Sequence, residues 1–258
     1  MGKTTYSNAV KRKLKAGETT YGAFLQTNSP ISAEILSQAG FDWLIVDMEH
    51  APVDLDGLMR QLQAIGCGGT AVPFVRAPWN DSVAIKRILD TGPQGIVIPY
   101  VNTRAEAEAA VAACLFPPDG TRGAAMSPRA ARYGGTTTDY FAEANKNTVV
   151  IVSVESDEAM QNLDDILSVD GIDGIFIGPM DLAVSLGHKD VHCEHVRLAV
   201  REIEDKVLAS DKFLGTIATD PEKAEACVER GYQWLIVMQD GVTLSSQAAT
   251  VVRRFKGE

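Results

Sequence analysis

Eight short runs rich in valine, isoleucine and phenylalanine, near residues 21–25, 43–47, 71–75, 95–98, 149–154, 174–178, 213–217 and 234–238, recur along the 258-residue chain with helical patterns between them. Runs this uniformly apolar fit strands buried on both faces, as in a parallel sheet covered by helices, better than strands with one wet face. The stretches between them carry helix signals. Asp220-Pro221 supplies a cap and a first-turn proline, apolar positions follow at Ala224, Ala226, Cys227 and Val228, and Gly231 ends the pattern. Residues 80–92 read the same way. Strict strand–helix alternation means βαβ units, and eight of them point to a single (β/α)8 barrel over residues 1–258, with an open doubly wound sheet as the competing arrangement. No linker or low-complexity tract divides the chain.

Charge narrows the partners. With 24 Lys and Arg against 34 Asp and Glu, the formal net charge is −10, which argues against nucleic acid, whose phosphates need clustered cationic side chains. An anionic substrate would need a local positive centre, an arginine or a metal ion. Cys67, Cys114, Cys193 and Cys227 are scattered without a CxxC pair, as expected in a reducing compartment. Residues 1–17 are basic and polar, and no segment offers about 18 uninterrupted apolar residues. The expectation is a soluble cytoplasmic protein with no membrane partner.

Barrel enzymes place chemistry where strands run out into loops, so polar residues that end apolar runs are the candidates. The second run ends in Asp47-Met48-Glu49-His50, the third in Arg76, the fifth in Glu155, and the sixth in Gly178-Pro179-Met180-Asp181. Glu155 and Asp181 follow successive strands, so their carboxylates converge, and two converging carboxylates are tolerable with a hard divalent cation such as Mg2+ or Mn2+, or else Co2+, between them. Read separately, Glu155 is a helix-start acid beside Ser156 and Asp157, and Asp181 a first-turn acid favoured by the helix dipole. His50 has the chemistry of a general base with Asp47 to orient it; its plain reading is a surface residue or cap. Arg76 can take a carboxylate or enolate oxygen with its fork of donors, or form only a salt bridge at the rim, where it would carry little packing. The Gly178–Asp181 turn opens a short helix whose amides can receive a substrate carboxylate.

No run ends in a lysine: Lys86, Lys146, Lys189 and Lys212 fall elsewhere, which disfavours a Schiff-base mechanism. Two connections are long, 99–148 and 179–212. The first contains PPDGTRGAAMSPRAARYGG (117–135), expected to form an ordered loop over the barrel mouth. The second contains His188, His192, Cys193 and His195, a spacing that suits zinc or a solvated loop or subunit contact.

The segments FDWLIVDMEHAPVD (41–54), FVRAP (74–78), IKRILDTGPQGIVIPYVNT (85–103), FPPDGTRG (116–123), VSVES (152–156) and GIDGIFIGPMDLAVSLG (171–187) resemble the HpcH/HpaI family of class II pyruvate aldolases. The resemblance runs from about residue 20 to 240. It implies a barrel of the phosphoenolpyruvate/pyruvate-binding type and metal-dependent retro-aldol cleavage of a 4-hydroxy-2-oxo acid, or of 2-dehydro-3-deoxyglucarate, to pyruvate and an aldehyde. It also implies His50 as base, Arg76 on the enolate, Glu155 and Asp181 as metal ligands, and Asp90 raising the basicity of the histidine, from the same subunit or across a subunit interface. Locally, Asp90 reads as an i,i+4 partner of Lys86. A homohexamer, a trimer of dimers with exchanged C-terminal helices, is implied as well. Two substrate-lining positions depart from the family: Ser153 stands where glutamine is usual, and Met180 where a small residue is usual. Oxaloacetate decarboxylation on the same barrel, or a non-catalytic binding barrel, are the alternative functions.

Overall fold

The computed structural model describes residues 7–135 and 137–257. Eight parallel strands, β1 (Thr20–Leu25), β2 (Trp43–Asp47), β3 (Val72–Arg76), β4 (Gly95–Ile98), β5 (Val149–Val154), β6 (Gly174–Ile177), β7 (Phe213–Ile217) and β8 (Trp234–Gln239), pair in sequence order. β8 closes on β1. Every boundary lies within one residue of the apolar run that predicted it, and closure rules out the open doubly wound sheet. Around the strands run α1 (Ala9–Lys15), α2 (Pro30–Ser37), α3 (Leu55–Gly68), α4 (Ser82–Asp90), α5 (Arg104–Cys114), α6 (Thr137–Asn147), α7 (Asp157–Gln161), α8 (Leu163–Leu167), α9 (Pro179–Ser185), α10 (Glu194–Leu208), α11 (Pro221–Glu229) and α12 (Asp240–Lys256). No helix among the described residues is long and apolar enough to cross a membrane.

The strands separate two packed regions by their period-two alternation. Leu44, Val46, Val75, Ile96, Val150, Val152 and Ile175 point outward into the helix layer. Trp43, Ile45, Val72, Phe74, Val97, Val149, Ile151, Phe176, Phe213 and Trp234 fill the barrel. Trp43 and Trp234 stack face to face with ring centroids 3.7 Å apart. Room for these rings comes from glycine: a Cβ on Gly22 would lie 2.1 Å from the Trp43 ring, and one on Gly95 2.0 Å from that of Phe74. At the base, Val10 and Leu14 of α1 pack into the same interior cluster, and Lys11 bonds Thr148 O and Asp173. The base is thereby plugged, leaving the opposite, C-terminal end for chemistry.

Helices begin at that open end under side-chain caps, as at Asp54, Asp81, Asp220 and the reciprocal capping box of Thr103 and Glu106. Because each helix runs back toward the base, length inserted after a helix lies at the base, whereas length inserted before it lies at the mouth. The segment 117–135 follows α5 and therefore does not cover the mouth as expected. Arg129 donates to Thr91 O and Leu62 O, and Arg122 donates to Asp90 and Tyr140, all on the basal side.

Candidate active site

The inward alternation that fills the barrel with aromatic rings continues into polar residues at the mouth. On β2 the inward series Trp43, Ile45 ends at Asp47, and on β3 Val72, Phe74 ends at Arg76. Asp47 and Arg76 are register partners, so they meet side by side. Asp47 Oδ1 accepts from Arg76 Nε at 2.9 Å and Oδ2 from Nη2 at 2.6 Å, and Gln26 Nε2 adds a third bond at 2.9 Å. Both partners are buried, Asp47 fully and Arg76 to 7 % exposure. Burial pushes the Asp47 carboxyl upward, but the two Arg76 bonds and the guanidinium charge prevail and hold it below the ordinary carboxylate value. Glu49 Oε2 lies 3.2 Å from Arg76 Nε. Burial and the charges of Asp47 and Asp181 push the Glu49 carboxyl up against the opposing pull of Arg76 and His50.

β5 contributes the second group. Its inward series Val149, Ile151 leads to Ser153, whose buried Oγ has no hydrogen-bond partner, and then to Glu155 just past the strand end. Glu155 is 2 % exposed, and burial, reinforced by the charges of Glu49 and Asp181, pushes its carboxyl up to about 7. Its Oε1 accepts the Tyr100 amide at 2.8 Å, while the Tyr100 hydroxyl donates to Asp181 Oδ1 at 3.2 Å. Burial, with the Asp181 charge, pushes the Tyr100 phenol up to about 12, so at neutral pH it is a donor. Glu155 Oε2 faces Gly178, where a Cβ would lie only 2.3 Å away. Glycine is required there by this close approach.

A divalent cation fits this donor set. Two carboxylates from successive strand ends, one of them buried and short of compensating positive charge, match an ion that takes one or two carboxylates and fills its other positions with substrate oxygens and water. Among the described residues no group of three or more His, Cys, Asp or Glu side chains is placed to hold a metal ion. That also separates the histidines of the second long connection. His188 Nε2 and His195 Nδ1 lie 2.8 Å apart as an exposed pair, and the His192 amide bonds Asp190 instead, so the three histidines do not form the zinc cluster their spacing suggested.

The remaining predicted residues fall as follows. The His50 imidazole is half-exposed at the mouth, 3.8 Å from Glu49. Asp47 was expected to orient that ring, but it bonds the His50 backbone amide at 3.3 Å, because its carboxylate is turned inward to Arg76 by the strand. Asp90 pairs with Arg122 at 2.8 Å rather than with Lys86. It sits at the basal end of α4, so a contact with His50 would have to come from another copy of the chain. Arg76 is a buried, doubly bonded residue, not a rim side chain that packs loosely. Met180 is 55 % exposed in the first turn of α9, beside Asp181. Sequence reasoning passed over Gln26, Trp79 and Tyr100, and gave Glu49 no role although it stands in the polar run after β2. Gln26 follows an apolar run as Arg76 ends one, and the same rule finds it; Tyr100 gives no such signal, since its role depends on a left-handed backbone at φ +52°.

Comparison with known proteins agrees with this geometry. Residues 20–247 match the model of the HpcH/HpaI aldolase/citrate lyase family. The chain is 39 % identical over 258 residues to the 5-keto-4-deoxy-D-glucarate aldolase of Escherichia coli O139:H28, covering 99 % of this chain and 100 % of that one. Among solved structures, an HpcH/HpaI aldolase/citrate lyase family protein from Burkholderia cenocepacia J2315 superposes with a TM-score of 0.93 at 35 % identity, covering 97 % and 100 % of the two chains. An HpcH/HpaI aldolase from Desulfitobacterium hafniense DCB-2 gives 0.88 at 27 %, covering 95 % and 96 %.

Proposed function

The chain belongs to the HpcH/HpaI aldolase/citrate lyase family and is a carbon–carbon lyase of the aldolase type; we propose that it cleaves a 4-hydroxy-2-oxo acid of the keto-deoxy sugar acid class with the residues assembled at its barrel mouth. The observation that carries this reading is the buried Glu155, poised at about 7 beside Asp181 and close enough to the Asp47-clamped Arg76 to feel its charge. Glu155 and Asp181 would hold Mg2+ or Mn2+, with Co2+ as a further candidate. When bound, the ion supplies Lewis-acid polarisation of the 2-oxo carbonyl, in a site of the phosphoenolpyruvate/pyruvate-binding type.

The protein's own groups do the rest. His50, solvent-accessible at the mouth, takes the proton of the 4-hydroxyl as the C3–C4 bond breaks and the aldehyde forms, a role worth roughly 10²–10⁴-fold. The bonding electrons pass to the 2-oxo group, giving the enolate of pyruvate, which is protonated at C3. Arg76 faces that developing charge with its Nη1 edge, since Asp47 occupies Nε and Nη2. The unpartnered Ser153 hydroxyl and the Gly178–Asp181 turn complete the wall around the 2-oxo acid, with Met180 on the aldehyde side.

One catalytic domain over residues 1–258, working in the cytoplasm as a homo-oligomer, completes the proposal. α12 supports association: only Asp240 of its residues is buried, and Val242, Leu244, Val251, Val252 and Phe255 are exposed, as in a helix awaiting another copy. Retro-aldol activity measured with EDTA and after Mn2+ or Mg2+ add-back tests the chemistry. Loss and recovery are expected; full activity without metal would overturn the mechanism, and carbon dioxide release in place of an aldehyde would reassign it as a decarboxylase.

A further inference from the structure

We propose that Tyr100 is a positioning residue that presents Glu155 and Asp181 to a divalent cation, with Trp79 as its brace; this rests on the reading that the two acids hold such an ion. Tyr100 lies two residues beyond β4 with φ +52°, a left-handed conformation that bulky side chains rarely adopt. Residues keep such conformations where the surroundings over-determine them, and these places cluster at functional sites. Here the surroundings are visible. The turned backbone aims the amide at Glu155 Oε1, 2.8 Å away, and the ring carries the hydroxyl across to Asp181 Oδ1 at 3.2 Å. One residue thus bridges two acids that follow different strands.

The consequence is a choice of oxygens. Tyr100 engages one oxygen of each carboxylate and leaves Glu155 Oε2, which packs closely against Gly178, and Asp181 Oδ2 for a ligand. Groups that hydrogen-bond metal-binding carboxylates orient them and commonly set affinity as strongly as the ligands do. Trp79, 56 % exposed on the loop after β3, stacks on the Tyr100 ring at 5.8 Å and 28°, so the ring cannot swing away from Asp181 without losing that contact. A phenylalanine at 100 would preserve the stack and the amide bond but not the bond to Asp181.

The test is calorimetric titration of MnCl2 into the metal-stripped full-length protein. Y100F is expected to bind Mn2+ about tenfold more weakly than wild type, with the activating Mn2+ concentration rising in step and kcat at saturating Mn2+ within about twofold. A purely structural role would instead lower the melting temperature and leave the affinity of the folded fraction alone. W79A, which keeps both hydrogen bonds and removes their brace, is expected to weaken binding about threefold, and it carries the test should Y100F melt well below wild type. Unchanged or tighter binding in the folded variants overturns the role of Tyr100 while leaving the metal reading intact. Failure of the wild type itself to bind Mn2+ overturns both.

Discussion

Replacing Glu155 by glutamine should stabilise the metal-free protein while abolishing its response to metal. The carboxyl is 2 % exposed and is pushed from the ordinary 4.5 to about 7, chiefly by burial. A folded-state value above the unfolded one means that the folded protein holds the proton more tightly. This group's contribution is therefore intact below about pH 4.5, is lost as pH rises toward 7, and changes no further above that. At about 1.4 kcal/mol per pH unit the loss reaches roughly 3 kcal/mol. For a chain of this size that is about 6–12 °C of melting temperature. E155Q keeps an oxygen for the Tyr100 amide and removes the charge. In EDTA, the melting temperatures of wild type and E155Q should coincide near pH 4.5 and diverge by several degrees at pH 8, with the variant higher. Mn2+ should then raise the wild-type value at pH 8 and leave the variant unmoved. Parallel curves across this range would refute the argument that Glu155 is a buried acid awaiting a positive partner.

R76A should cost about 3–5 kcal/mol in denaturant unfolding, in addition to abolishing cleavage, because it strands the fully buried Asp47 charge. S153A should stabilise the fold by about 1 kcal/mol, since the serine hydroxyl is buried without a partner, and should raise the pyruvate KM in the condensation direction. G178A should lower Mn2+ affinity at least about tenfold by calorimetry, because its Cβ would collide with Glu155 Oε2. V251D/F255D should shift the light-scattering mass of the protein toward the monomer, both side chains being exposed on α12.

The strands were legible residue by residue because a barrel strand is buried on both faces and reads as one apolar block. Asp47, Arg76 and Glu155 were legible because they are the polar residues at which apolar runs stop, whereas Ser153, inside its run, was marked only by the resemblance to the family. Local patterns did not carry the directions of individual side chains. Asp47 was assigned to the His50 ring by proximity in sequence, yet register places it against Arg76 on the neighbouring strand. Segment 117–135 was assigned to the mouth by its composition, yet its position after α5 puts it at the base. Period and composition are properties of a chain segment, so the sequence alone determined the strand count, the strand–helix alternation and the polar residues that end the strands, while the pairing of β8 with β1 decided the closed barrel over an open sheet. The Asp47–Arg76 clamp, the solitary Ser153 hydroxyl and the reach of Tyr100 across two carboxylates were decided by tertiary structure, because each depends on the closed sheet bringing separate strand ends within hydrogen-bond distance.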